Sequence, residues 1–249
     1  MTHETPAKAG RDWRAAGRAL RALIRDPERT DAVFDLIEAL DRDLDESSIR
    51  EFAAHPEGKR LLSERPDLLA VLSNHAGLAE LAEGSLGRSY LDFVRANGIT
   101  AEGLVEADEG RAHRLAAAPE SAAVYLSNRG RDCHDLWHVL SGYGTDEAGE
   151  VSVLAFTYGQ YPSLGLLLIV LAGVVLGPRS WGFHWERYLW RAYRRGRRAD
   201  LDYAPYEQWL ALPLDEARRR ARIEPAEVAH PNGVIAANRG DAPEVATAG

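Results

Sequence analysis

The sequence predicts an all-α fold: a single domain of many short and medium helices around a central apolar helix. Three observations carry that expectation. Apolar residues recur at helical spacing along most of the chain and nowhere alternate with period two for long. Helix punctuation recurs with them, with Ser or Thr ahead of apolar runs, Gly behind them and Pro at breaks. No internal repeat or low-complexity linker divides the 249 residues, and 45% hydrophobic residues suffice for a sizeable core.

The elements follow in chain order. Five arginines between Arg11 and Arg25 sit on an amphipathic segment that resembles a transit peptide, but Glu4 and Asp12 favour a surface helix docked through Leu20, Leu23 and Ile24. The same N-terminus lacks the apolar core of a secretory signal. Thr30 is placed to cap a helix burying Val33, Phe34, Ile37 and Leu40, and Ser48 with Glu51 makes a capping-box pattern before Phe52. Pro56 and Pro66 then cut the chain into short helices carrying Leu61, Leu62, Leu68, Leu69 and Leu72. Gly84 and Gly87 precede a helix with Leu91, Phe93 and Val94 and suggest a close backbone approach; Gly98 stands at its C-cap. Residues 101–118 are charged and weakly patterned, and Pro119 can start a helix through Val124, Tyr125 and Leu126.

Residues 163–177, "SLGLLLIVLAGVVLG", are the most apolar stretch, yet at about fifteen residues they fall short of the roughly twenty that a membrane span needs. The first reading is a helix buried on all sides; the second is one wall of a tunnel for a long apolar ligand, or a surface dipped into a membrane. Beyond it, Trp181, Trp185, Tyr188 and Leu189 fall at helical spacing and read as core. Arg191, Arg194, Arg195, Arg197 and Arg198 read as a solvated face, with anionic lipid or an acidic substrate as the alternative.

Composition excludes some functions. A formal net charge of −8 argues against a nucleic-acid partner, which needs a dense positive field. Cys133 is the only cysteine, so no internal disulfide can form and the chain suits a reducing compartment. The heavy use of Ala, Arg and Gly has a bacterial character.

The chemistry concentrates in "HDLWHVLSGYGTDEAGE", residues 134–150. On a helix His134 and His138 lie one turn apart on one face, where two imidazoles can grip one cation. Asp135 borders that face, and Glu150 arrives twelve residues after His138, once Gly142 and Gly144 have let the chain turn. Two imidazoles and two carboxylates suit zinc, iron, manganese or cobalt better than a metal that prefers thiolate, and Cys133 lies off the shared face. The alternative is an ordinary pair of histidines on a solvated helix. A metal phosphohydrolase scheme would instead use His134 with Asp135, His113 upstream and Asp200 or Asp202 downstream, but it leaves His138 and Glu150 unexplained.

The segment H-D-x-x-H followed by eleven residues and Glu resembles the signature of the coenzyme Q (ubiquinone) biosynthesis protein Coq-four family. "HPEGKRLLSERPDL", "EGSLGRSYLDFV", "GEVSVLAF", "YRRGRRADL" and "PLDEARRRARI" resemble the same family in the same order. The resemblance implies an all-helical, membrane-associated fold that binds prenylated lipid, with His134, Asp135, His138 and Glu150 as catalytic residues and ligands of a divalent metal, zinc before iron, manganese or cobalt. It implies decarboxylation, in some accounts oxidative, at ring carbon 1 of a prenylated 4-hydroxybenzoate. A different class of function is a non-catalytic lipid-binding scaffold for other ubiquinone biosynthesis proteins. The expected partners are a prenylated hydroxybenzoate or quinone-type lipid, those proteins, a membrane surface and a second copy in a homodimer. The expected location is cytoplasmic, peripheral on the inner face of a bacterial membrane, or the matrix side of the inner mitochondrial membrane in a eukaryote. Arg129 or Arg131 is a candidate for the substrate carboxylate, and Tyr158, Gln160 and Tyr161 are candidate donors behind the metal ligands. The expected boundaries are a flexible N-terminus over 1–12, a metal-binding domain over 13–229 and a flexible tail over 230–249.

Overall fold

The structure, a computed structural model, describes residues 10–26, 29–41, 44, 46–107, 121–177, 184–230 and 233–235. Among them the chain forms sixteen helices and no strand. In order these are α1 (Trp13–Arg25), α2 (Thr30–Leu40), α3 (Glu46–Ala54), α4 (Pro56–Glu64), α5 (Leu68–Ser73), α6 (His75–Ala79), α7 (Leu86–Asn97), α8 (Ala101–Ala107), α9 (Ala122–Asp132), α10 (His134–Ser141), α11 (Glu147–Gln160), α12 (Leu164–Leu176), α13 (Trp185–Arg198), α14 (Tyr206–Trp209), α15 (Leu214–Arg220) and α16 (Ala226–Ala229). The all-α expectation holds, and no helix among the described residues is long and apolar enough to cross a membrane.

Local chemistry sets the helix ends. Ser85 Oγ accepts the Arg88 amide at the start of α7, and Gly98 closes that helix at φ 63°, a left-handed conformation that glycine adopts without steric cost. Gly87 meets the backbone of Leu210, since a Cβ there would lie 3.1 Å from the Leu210 carbonyl oxygen. Helix α2 starts at Thr30 with Arg29 at its N-cap, so Thr30 is one position inside the predicted cap. Helix α3 starts at Glu46, which puts Ser48 within the helix. Pro119, Trp181 and His113 lie outside the described residues, and Ser121 caps α9 instead.

Two hydrophobic clusters share one helix. The larger gathers Tyr90, Trp137, Leu140, Phe156 and Leu189; the smaller joins Ala16, Leu36, Leu40, Leu154, Leu166 and Ile169. Helix α11 contributes Phe156 to the first and Leu154 to the second, so it is the central element. Its crossing with α13 is backbone to backbone: a Cβ on Gly196 would lie 1.9 Å from the Phe156 carbonyl oxygen.

Helix α12 corrects the expectation of an apolar helix buried on all sides. Gly165, Leu166 and Ile169 are buried, whereas Leu171, Val175 and Leu176 are exposed, Val175 to 77%. The reason is position: α12 packs mainly on α11 and α2, with smaller contacts to α1 and α13, and these leave Leu171, Val175 and Leu176 uncovered.

Residues at both edges of the expected domain make specific contacts. Asp12 caps α1 by accepting the Ala15 amide at 2.9 Å, its own amide donates to Ala39, and Arg11 Nε donates to the Leu40 carbonyl. At the other end His230, expected to open a tail, is buried against Tyr143 and Tyr188. Residues 1–9 and 236–249 lie outside the described residues.

Candidate metal centre

Helix α10 is eight residues long and carries both histidines of the motif, with Cys133 at its N-cap. The rings of His134 and His138 stand 4.8 Å apart, edge to face, as two residues one turn apart must. After Ser141 the chain reverses through Gly142, at φ 79°. The carbonyl of Tyr143 then turns back to accept from His138 Nδ1 at 3.2 Å. That bond assigns the proton to Nδ1 and leaves the Nε2 lone pair free.

Glu150 reaches this point because two devices fold the return. Asp146 caps α11 by accepting the amides of Ala148 and Gly149 at 3.1 and 3.3 Å. Gly149 lies against the turn so closely that a Cβ there would sit 2.0 Å from the Gly144 carbonyl oxygen. The next residue, Glu150, therefore brings Oε1 to 3.5 Å from His138 Nε2. One donor atom each from His134, His138 and Glu150 lies within 4.8 Å of the others.

These residues fit a divalent cation. His138 is 1% exposed, and its Nε2 is buried with no hydrogen-bond partner. An unpaired buried acceptor costs about 1–3 kcal/mol, and a cation at the focus of the three donors removes that cost. With two nitrogens and one carboxylate oxygen as donors, a four-coordinate cation would keep one position for a ligand from outside the chain.

Asp135 stands outside the convergent set. It is buried, and its Oδ1 lies 3.3 Å from His134 Nδ1, on the far side of that ring from Nε2. Burial disfavours the charged form of His134, but the Asp135 contact and the charges of Glu150 and Asp135 outweigh it and raise its pKa. The position is that of a carboxylate that orients a ligating histidine.

The other candidates have partners of their own away from the three donors, although Arg129, Arg131 and Tyr161 line the cavity beside them. Arg129 is buried in a forked ion pair with Glu207, at 2.5 and 3.0 Å, and also donates to the Ala204 carbonyl. Arg131 pairs with Asp132 at 2.7 Å. Gln160 donates to the Gly196 and Ala199 carbonyls and accepts from the Leu201 amide, tying α11 to the end of α13. Tyr158 packs on Tyr193 and Tyr161 stacks on Trp137, both near the opposite end of α11 from Glu150. Of the phosphohydrolase set, Asp200 is exposed beside Arg222 and Asp202 lines a cavity; neither joins the donors around His134. Arg195 is buried, not part of a solvated face.

His134, Asp135 and Glu150 open into a cavity of about 1690 Å³. Most of its wall is apolar, with Leu20, Val33, Leu154, Leu166 and Ile169 drawn from α1, α2, α11 and α12. Leu164, Leu166, Ile169 and Leu176 of the apolar helix thus line the same cavity as His134 and Glu150.

The sequence model of the coenzyme Q (ubiquinone) biosynthesis protein Coq4 family matches residues 6–227. Among curated proteins, the mitochondrial ubiquinone biosynthesis protein COQ4 homolog of Danio rerio is 31% identical over 68% of this chain and 60% of its own length. The mitochondrial ubiquinone biosynthesis protein coq4 of Schizosaccharomyces japonicus is 30% identical over 72% of each chain. This chain therefore spans less than two thirds of the zebrafish relative. A candidate ubiquinone biosynthesis protein from Nostoc punctiforme, known from a crystal structure, superposes with a TM-score of 0.58 at 24% identity, over 85% of this chain and 98% of its own, and shares the fold.

Proposed function

This chain belongs to the coenzyme Q (ubiquinone) biosynthesis protein Coq4 family, and on that premise we propose that it removes the carboxyl group at ring carbon 1 of a prenylated 4-hydroxybenzoate. The observation that carries the proposal is the buried, unpaired Nε2 of His138 facing Glu150, which with His134 lines a large, mostly apolar cavity. His134, His138 and Glu150 would hold a divalent metal, zinc first among the candidates, which when bound would supply Lewis-acid stabilisation of negative charge on the substrate head group.

The protein's own residues do the rest. Asp135 holds His134 through Nδ1, and the Tyr143 carbonyl holds His138 through Nδ1, which leaves Nε2 of each ring for the metal. The apolar walls take the tail, whose burial is favourable by about 0.8 kcal/mol per methylene. In the reaction, carbon 1 gains a proton while the para hydroxyl donates electron density. The bond to the carboxyl carbon then breaks, its electron pair restores the aromatic ring, and carbon dioxide leaves. The exposed Leu171, Val175 and Leu176 beside the cavity suit a peripheral position on a membrane surface, from which a prenyl tail can enter.

The test is a turnover assay on a prenylated 4-hydroxybenzoate labelled in its carboxyl group, with metal-quantified wild type beside Glu150→Ala, in air and without oxygen. Labelled carbon dioxide from wild type alone is the expected result, and dependence on oxygen would assign the oxidative form. No release from folded, metal-loaded protein would overturn the decarboxylase and leave a lipid-binding scaffold for other ubiquinone biosynthesis proteins.

A further inference from the structure

The last turn of an α-helix leaves backbone carbonyls without intrahelical partners. In α10 the His138 carbonyl is taken by the Gly142 amide at 2.7 Å. The next three are taken by two arginines from distant parts of the chain. Arg218, on α15, donates from Nε to the Leu140 carbonyl at 3.0 Å and from its terminal nitrogen to the Val139 carbonyl at 3.1 Å. Arg195, on α13, donates to the Ser141 carbonyl at 2.8 Å and to the Glu224 carbonyl at 2.6 Å.

The same guanidinium of Arg195 lies over the Tyr143 ring, 5.0 Å from its centroid. Tyr143 is the residue whose carbonyl receives His138 Nδ1. The two arginines therefore grip both sides of the reversal that sets the orientation of His138. Besides Asp215, 3.6 Å from Arg218, their partners are carbonyls and a ring face, and the positive charge sits at the negative end of α10.

We infer that Arg195 and Arg218 are positioning residues of the metal centre, which hold the end of α10 and the Ser141–Gly144 reversal so that His138 Nε2 faces Glu150. This rests on the metal reading of the site. It also assigns a reason to two arginines in otherwise solvent-facing arginine runs: Arg194, Arg197 and Arg198 are exposed around the buried Arg195, and Arg219 and Arg220 pair with Glu216 at the surface beside Arg218. The contact of Arg218 needs two donors in a fixed fork, which a lysine ammonium cannot reproduce.

The experiment is a Co(II) titration against a competing chelator, with visible absorption and far-ultraviolet circular dichroism recorded on the same samples. The variants are Arg218→Met, Arg218→Lys and Arg195→Met, beside Leu72→Ala, which weakens the core on α5 away from the ligand helix. The expected result is affinity reduced about ten- to a hundredfold in the arginine variants, the usual scale for residues behind metal ligands. Their Co(II) bands shift, Arg218→Lys does not rescue, and Leu72→Ala keeps the wild-type affinity and bands. Wild-type affinity and bands in the arginine variants, or a parallel loss in Leu72→Ala, would overturn the inference. If the methionine variants fail to fold, Arg218→Lys carries the test.

A wild type that takes up no Co(II) overturns the metal reading instead. The positioning role is then read from the imidazole nitrogens of His138 by 15N resonance: a single Nδ1–H tautomer in wild type that becomes mixed in Arg218→Lys supports it, and an unchanged tautomer refutes it.

Discussion

Replacing His138 by Leu separates the metal-binding role of this residue from its part in the fold. In metal-free protein the change removes the unpaired buried Nε2, whose burial costs about 1–3 kcal/mol, and leaves the Tyr143 carbonyl without its donor, at a similar cost. It also removes the ring stacked on Phe93, worth about 0.5–1.5 kcal/mol. The first two effects nearly cancel, so the metal-free His138→Leu variant should be less stable than wild type by only about 1 kcal/mol. Metal separates the two proteins. At a free concentration a thousand times Kd, a ligand specific for the native state adds about 4 kcal/mol, and a domain of this size responds with about 2–4 °C in Tm per kcal/mol. Wild type should rise by about 8–16 °C and His138→Leu hardly at all. Thermal unfolding of chelator-treated protein, repeated with zinc, cobalt, manganese and ferrous iron, measures both. An equal rise in the two proteins, or none in wild type with any of the four metals, would refute the assignment of Nε2 as a ligand.

Three further outcomes follow from the same geometry. Asp135→Asn keeps the size of the side chain but removes the charge beside His134 Nδ1, so metal affinity should fall about ten- to a hundredfold; abolished binding in a chelator competition would instead make Asp135 a direct ligand. Gly196→Ala drives a Cβ into the Phe156 carbonyl, and at about 3 kcal/mol for an overpacked backbone contact Tm should drop by about 6–12 °C; an unchanged Tm would show that α11 and α13 can slide apart. Burial, with the charges of Arg195 and Arg191, lowers the pKa of His230 to about 4. Since the unfolded imidazole titrates near 6.5, the unfolded state binds the extra proton between those values. The stability from neutral His230 is therefore complete above about pH 6.5 and is lost as pH falls towards 4. Urea unfolding at pH 7 and pH 5 should show a loss larger in wild type than in His230→Gln by at most about 2 kcal/mol, and equal losses would refute the linkage.

What was legible in the sequence depended on whether a residue's partner was local. His134 and His138 share a helix face by spacing alone, and Gly142 is needed wherever a helix ends in a left-handed residue, so most of the site could be read along the chain. Glu150 could be proposed from the turn that Gly142 and Gly144 allow, but its close approach depends on Gly149 lying against Gly144, a contact with no periodic signal. The apolar run of α12 was legible as a helix, but its surroundings were not. Hydrophobicity on every face describes equally a helix wrapped in protein and one that lines a chamber on one side and meets solvent on the other.

The residues missed altogether share a cause. Arg195 and Arg218 act on backbone carbonyls, and every residue in the chain has a carbonyl, so no partner type marks which arginine of a basic run turns inward. His230 follows a short helix in a Pro- and Ala-rich stretch that reads as tail, yet it is buried, with its Nε2 hydrogen-bonded to the Tyr143 hydroxyl at 2.7 Å. That bond joins the C-terminal segment to the residue whose carbonyl holds His138. The motif over 134–150 thus supplies the proposed ligands, while the contacts around their reversal come from α13, α15 and the segment after α16. A chain ending before His230 would keep every residue of the motif and lose one of the contacts that hold His138 in place.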